Sequence, residues 1–198
     1  MPRPVALFAA MSLMLAGCAG ITQKDGLTYR APESAMTDTA IAVPGASQAD
    51  AVASLAVRLR EAGLRVVKED RRTGTVVARV AGPALVDCGT FTQSARGNVV
   101  QFPAHAARAV LFDFAKPGNL IQREAMLSSQ VKVTVASAAP FTATQTATHD
   151  VRVSQRNLSD ADKDWRAHGQ FISGQRVLFP DGVSCVDNGR LASIVAGP

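Results

Sequence analysis

Twelve residues, Val5 to Ala16, form an almost wholly apolar run behind a charged start at Arg3. A membrane-crossing helix needs roughly 20 apolar residues, so this run reads as the hydrophobic region of a secretory signal. Small residues at its end, Ala16 and Gly17, fit the subsite of a signal-processing protease. Export constrains everything downstream. The body must fold in an oxidising compartment, and no later segment is long or apolar enough to span a bilayer.

The stretch Leu15-Ala16-Gly17-Cys18 resembles the lipobox of bacterial lipoproteins. That resemblance implies removal of residues 1–17 and acylation of Cys18 on its thiol and its amine. Residue 19 is Ala19 rather than aspartate, which by the same resemblance implies the outer membrane, with the folded part facing the periplasm. Each buried methylene contributes about 0.8 kcal/mol and one acyl chain holds only marginally, so several chains on one cysteine make a lasting anchor. Residues 18–46 then read as the lipidated cysteine and a flexible tether. They contain Pro32, Pro44, Gly45 and many Ala, Thr and Ser, with few large apolar side chains. Tyr29 is a possible docking residue within them.

With Cys18 lipidated, Cys88 and Cys185 remain, and an even pair in an exported protein reads as a disulfide. Two unpaired buried thiols are the alternative. The formal charge of +5 is spread along the chain rather than gathered on one element, so nucleic acid is not an expected partner.

The clearest periodicity starts at Ser47. Ser47 and Asp50 stand three apart as a capping pair, and Val52, Leu55, Leu59 and Ala62 make one apolar stripe. The pattern predicts an amphipathic helix over 47–62, stopped by Gly63. Two alternating strands follow, 64–69 and 75–81, joined through Asp70-Arg71-Arg72-Thr73-Gly74. Short strands are expected around Cys88 and over 99–102. Residues 104–118 are ambiguous between a short helix and extended chain. From Leu120 onward the pattern is strongly β. Thr142, Thr144, Thr146 and Thr148 share one phase, an exposed sheet face, with Val151 and Val153 on the other. Trp165 is expected to pack onto the body. Strands are expected over 170–179 and, as the last element, 191–195. The expected fold class is α+β: an amphipathic helix on a small antiparallel sheet in a lobe of residues 47–118, then a β-rich antiparallel lobe of residues 119–198.

The search for chemistry yields little. No GxSxG, HExxH, CxxC or phosphate-binding glycine loop occurs. Asp160, Asp162 and Asp164 alternate as in a calcium loop, but Trp165 and Phe171 stand where that loop needs glycine and glutamate. His105 reads as structural or surface, His149 as a strand residue and His168 as a loop residue. A Ser–His–Asp triad is defined by geometry, and no particular trio is favoured by the sequence. No catalytic residue, metal site or cofactor is expected.

The segment 51–81 is also similar to the helix-plus-sheet domains of lipoprotein subunits of the outer-membrane β-barrel assembly complex. The matching residues are Leu55, Leu59, Gly63-Leu64-Arg65-Val66 and Thr73-Gly74-Thr75-Val76. The resemblance implies a non-enzymatic structural or adaptor component of an envelope assembly, secretion or transport machine. Such a chain holds the membrane through Cys18 and an envelope protein through a sheet edge or groove. A lipid or small-ligand carrier and an envelope hydrolase are the alternatives.

Overall fold

The computed structural model describes residues 26–33, 40–113 and 119–197. The Leu15–Cys18 motif and its lipidation therefore lie outside the described residues, as does the Pro117-Gly118 break. In chain order the strands and helices are β1 (Gly26–Arg30), β2 (Ile41–Ala42), α1 (Gln48–Glu61), β3 (Arg65–Asp70) and β4 (Thr75–Ala81). Next come β5 (Val86–Asp87), β6 (Thr90–Ala95), β7 (Asn98–Pro103), β8 (Ala109–Phe112), β9 (Leu120–Val135) and β10 (Thr142–Asn157). The last are β11 (Trp165–Ile172), β12 (Arg176–Leu178), β13 (Ser184–Asp187) and α2 (Arg190–Ala196). The fold is α+β and antiparallel throughout its described sheets.

Helix α1 forms as its sequence dictates. The Ser47 hydroxyl accepts from the Asp50 N–H at 3.1 Å, satisfying one of the orphan donors of the first turn. Ala51, Val52, Leu55, Ala56 and Leu59 are buried, and Gly63 takes a positive φ of 86° just beyond the last turn. The β3–β4 turn likewise places Gly74 at φ 68°. A Cβ there would meet the Val135 carbonyl oxygen at 2.6 Å, so only glycine fits.

The main sheet runs β11-β10-β9-β4-β3, with β2 added to β10 and β8 to β9. Strand β4, from the first expected lobe, pairs with β9 of the second from Thr75↔Thr134 to Ala81↔Ser128. The sheet is thus continuous across the boundary expected at residue 118. Strands β9 and β10 are 16 residues each and form its spine. Their alternation sorts side chains cleanly. Val131, Val133, Val135, Ala143, Ala147, Val151 and Val153 are buried, whereas Thr144, Thr146 and Thr148 face solvent.

Two apolar clusters cover the buried face. Near one end α1 and α2 pack on Val76, Ala78, Val131 and Val133, through Leu55, Leu59, Leu191 and Val195. Near the other, two three-stranded sheets, β1-β6-β7 and β12-β13-β5, pack on Ala125, Leu127, Val151 and Val153. The Cys88–Cys185 disulfide lies in this second cluster, and half-buried Trp165 packs against it.

Three expectations are corrected. Residues 26–30, assigned to the tether, form β1 in full register with β6, from Gly26↔Ser94 to Arg30↔Thr90. Residues 41–42 pair with β10. Tyr29 ties β1 to the body. Its hydroxyl lies 3.0 Å from the carbonyl oxygens of both Cys88 and Ser184 and accepts from the Ser184 N–H at 2.9 Å, and its ring packs on Phe91. The final element is helix α2 rather than a strand, because Leu191 and Val195, four apart, both dip into the helical cluster. In the ambiguous segment, Ala109–Phe112 is extended and pairs with β9.

Candidate functional site

Among the described residues, three places carry chemistry: a polar seam inside the core, a concave patch on the open sheet face, and the edge of β7.

The seam is built by register. Ser129 on β9 and His149 on β10 are direct cross-strand partners. Both sit on the buried phase, between the helical cluster and the disulfide cluster. Ser129 Oγ lies 2.8 Å from His149 Nδ1, and His149 Nε2 lies 3.1 Å from Asp187 Oδ2 on β13. The Ser173 hydroxyl donates to the same carboxylate oxygen at 3.0 Å, and the Gly189 N–H donates to Asp187 Oδ1 at 2.7 Å. Nε2 donates to the carboxylate, and in the neutral imidazole the Ser129 hydroxyl then donates to Nδ1. Burial on its own would raise the Asp187 carboxyl. Hydrogen bonds from His149, Gly189 and Ser173 outweigh it and hold the group below its ordinary value.

The trio has the connectivity of a Ser–His–Asp relay, which sequence reasoning did not single out. The signal was present. His149 shares the phase of Val151 and Val153, and Ser129 that of Leu127 and Val131, so both are polar residues on an apolar phase. The setting differs from that of a nucleophile. Ser129 is 3% exposed and His149 0%. The neighbours Ser128 and Gln130 point to the opposite, open face, so the Ser129 hydroxyl points into the core. Each polar group in the seam satisfies another, as a buried network must.

The linkage sign gives a test. A carboxylate with a depressed folded pKa contributes stability above its unfolded value, near pH 4, and loses it as pH falls through the folded value. Asp187→Asn is expected to melt below the wild type at neutral pH. Its melting temperature is also expected to fall less steeply below about pH 4. Thermal unfolding across pH measures both.

The concave patch lies on the uncovered face of the main sheet and encloses about 740 Å³. Arg65, Arg79, Gln130, Thr148, Asp150 and Gln170 line it. Asp150 is engaged: His168 Nε2 lies 2.7 Å from its Oδ2, Gln170 donates to the same oxygen at 3.1 Å, and Arg152 is 3.4 Å from Oδ1. Burial would raise this carboxyl, but those hydrogen bonds and the nearby positive charges hold it low. His168, expected in a loop, is therefore an outward residue of β11.

The other sequence candidates fall elsewhere. Cys88 and Cys185 are bonded, with 97 residues of sequence separation. His105 is half-buried beyond β7, where burial lowers its pKa against a weaker pull from Asp87, and its Nδ1 has no hydrogen-bond partner among the described residues. Asp164 accepts from the Asn157 N–H at 2.7 Å and Asp160 pairs with Lys163, so the acidic turn shapes its own loop. Among the described residues no three His, Cys, Asp or Glu side chains converge to hold a metal. Among them, too, no helix is long and apolar enough to cross a membrane.

Strand β7 ends its sheet. Its turn, Arg96-Gly97, has positive φ at both residues, 50° and 80°, the signature of a two-residue type I′ hairpin. That turn makes Ala95–Asn98 a hydrogen-bonded pair, and the alternation continues to the Ala104 N–H donating to Gly89. The main-chain groups of Val99 and Gln101 therefore face away from β6. Val99 and Val100 are 47% and 54% exposed, and the strand Asn98-Val99-Val100-Gln101-Phe102-Pro103 carries no charge. Strand β3, an edge of the main sheet, carries Arg65, Lys68, Glu69 and Asp70 and a register shift, the usual protections against pairing.

No protein-family model, curated protein or solved structure matches the chain.

Proposed function

We propose that this chain is a lipid-anchored envelope protein of the outer membrane, held through Cys18, that serves as a non-enzymatic adaptor. Its body faces the periplasm and receives an extended segment of an envelope protein as a strand added beside β7. The observation that carries this reading is the uncharged, exposed β7 edge with its outward main-chain groups, in contrast to the charged and register-shifted β3 edge. The Cys88–Cys185 disulfide supports export, and the apolar run ending at Cys18 supports the anchor.

A hydrolase is the second reading, favoured by the Ser129–His149–Asp187 contacts. Its weakness is access: a substrate carbonyl would have to reach a hydroxyl lodged between Leu127 and Val131. We take the seam as structural.

The test has two parts. Cys18→Ser is expected to release the chain from the membrane fraction, and unchanged fractionation refutes the anchor. Gln101→Pro removes an outward N–H while sparing the β6 ladder, a position where an edge strand tolerates proline. A photo-crosslinker at Val99 is expected to capture one defined envelope protein in intact cells. Gln101→Pro should abolish that capture while leaving melting nearly unchanged. Capture that persists in Gln101→Pro argues against strand addition.

A further inference from the structure

The open face of the main sheet contains a pairing that folding alone does not favour. Arg65 on β3 and Arg79 on β4 are direct cross-strand partners, and both line the concave patch. Directly opposed residues in an antiparallel pair have Cβ atoms about 5 Å apart, and like charges at that spacing destabilise a sheet. Neighbouring carboxylates do not relieve them. The Arg79 Nε donates to the Gln130 side chain at 3.1 Å, a neutral partner, and Arg65 has no side-chain partner among the described residues. The remaining carboxylate in the patch, Asp150, is committed to His168, Gln170 and Arg152. The wider face is basic as well: Lys68, Lys132, Arg152, Arg156 and Arg166 share it with the two arginines, against Asp70, Glu124 and Asp150.

We propose that Arg65 and Arg79 form a binding site for a phosphate group. Two guanidinium forks side by side match the several acceptor oxygens of a phosphate, each fork donating two parallel N–H bonds. The bond from Arg79 to Gln130 fixes that side chain at its Nε and leaves its terminal nitrogens for the ligand. Thr148 and Ser128, which also line the patch, supply neutral donors at its floor. An anion seated there converts the opposed pair from a repulsion into a shared clamp. The site is independent of the β7 reading, and it lies on a different sheet. The phosphate has two possible sources, a lipid headgroup or a free phosphate.

The full chain in non-ionic detergent, titrated with sodium phosphate against sodium chloride at matched ionic strength, tests it by thermal shift and calorimetry. A second arm uses dihexanoyl phosphatidate below its micelle concentration. Saturable binding is expected in at least one arm, weakened by about tenfold or more in Arg65→Gln and in Arg79→Gln but not in Lys132→Gln. Phosphatidate binding tighter than phosphate by that margin assigns the lipid source, and equal affinities assign free phosphate. Absence of a saturable response in both arms overturns the site. So does a response that survives both arginine substitutions, or one that Lys132→Gln removes equally and that therefore belongs to the basic face as a whole.

Discussion

Arg123→Ala is expected to cost about 3–5 kcal/mol of folding stability, because it removes one partner of a buried ion pair and strands the other. Arg123 is 2% exposed, and its Nε donates to Asp181 at 2.8 Å. One terminal nitrogen donates to the Ala104 carbonyl, and the guanidinium lies 5.7 Å from the Phe91 ring centroid. Arg123 thus joins β9, the loop after β7, a ring of the small sheet and the Pro180-Asp181-Gly182 turn. Arg123→Met keeps much of the volume and separates lost packing from lost charge. Pairing it with Asp181→Asn removes the stranded carboxylate, so the double variant should recover part of the loss. Urea unfolding midpoints measure the series. Equal stability of Arg123→Ala and the wild type would refute the role.

The disulfide carries the second large effect. By loop-closure entropy, a bridge over 97 residues restricts the unfolded chain by about 4.7 kcal/mol, and natural bridges typically contribute about 2–4 kcal/mol. The Cys88→Ser/Cys185→Ser double variant is expected to lose a comparable amount by urea unfolding. Strand β1 should feel it first, since the Tyr29 hydroxyl reads the backbone on both sides of the bridge, at Cys88 and Ser184. Hydrogen exchange in residues 26–30 is expected to accelerate more than in β9 or β10. Alkylation without reductant should leave Cys88 and Cys185 unmodified in the native protein, and two added groups would refute the bridge in solution.

What could be read in advance was local. The Ser47 cap, the 52–55–59 stripe, the Gly63 stop and the Gly74 turn are short-range signals, and α1, β3 and β4 stand where they point. The threonine phase of β10 was legible for the same reason: period-two alternation needs only its own strand. Strand β1 was not legible. Gly26–Arg30 has a weak β pattern, and its partner, β6, lies some sixty residues away. Helix α2 has only seven residues, with β-branched Ile194 and Val195 in its last turn, so tertiary packing overrides propensity. The buried seam needed the register of β9 on β10 and the arrival of β13. The sequence places His149 on a strand but does not single out Ser129, nor their meeting.

The pairing of β1 with β6 also resets the geometry of attachment. Between Cys18 and the first residue of β1 lie only residues 19–25, and eight Cα steps span at most about 28 Å. With Cys18 as the proposed anchor, the protein is moored on a short line rather than floated on a long one. A body proposed to be held so stays within that reach of the membrane. Under that proposal the Gly26 end of β1 stays within this reach of the bilayer, and a partner strand joining β7 of the same sheet is met close to the membrane surface.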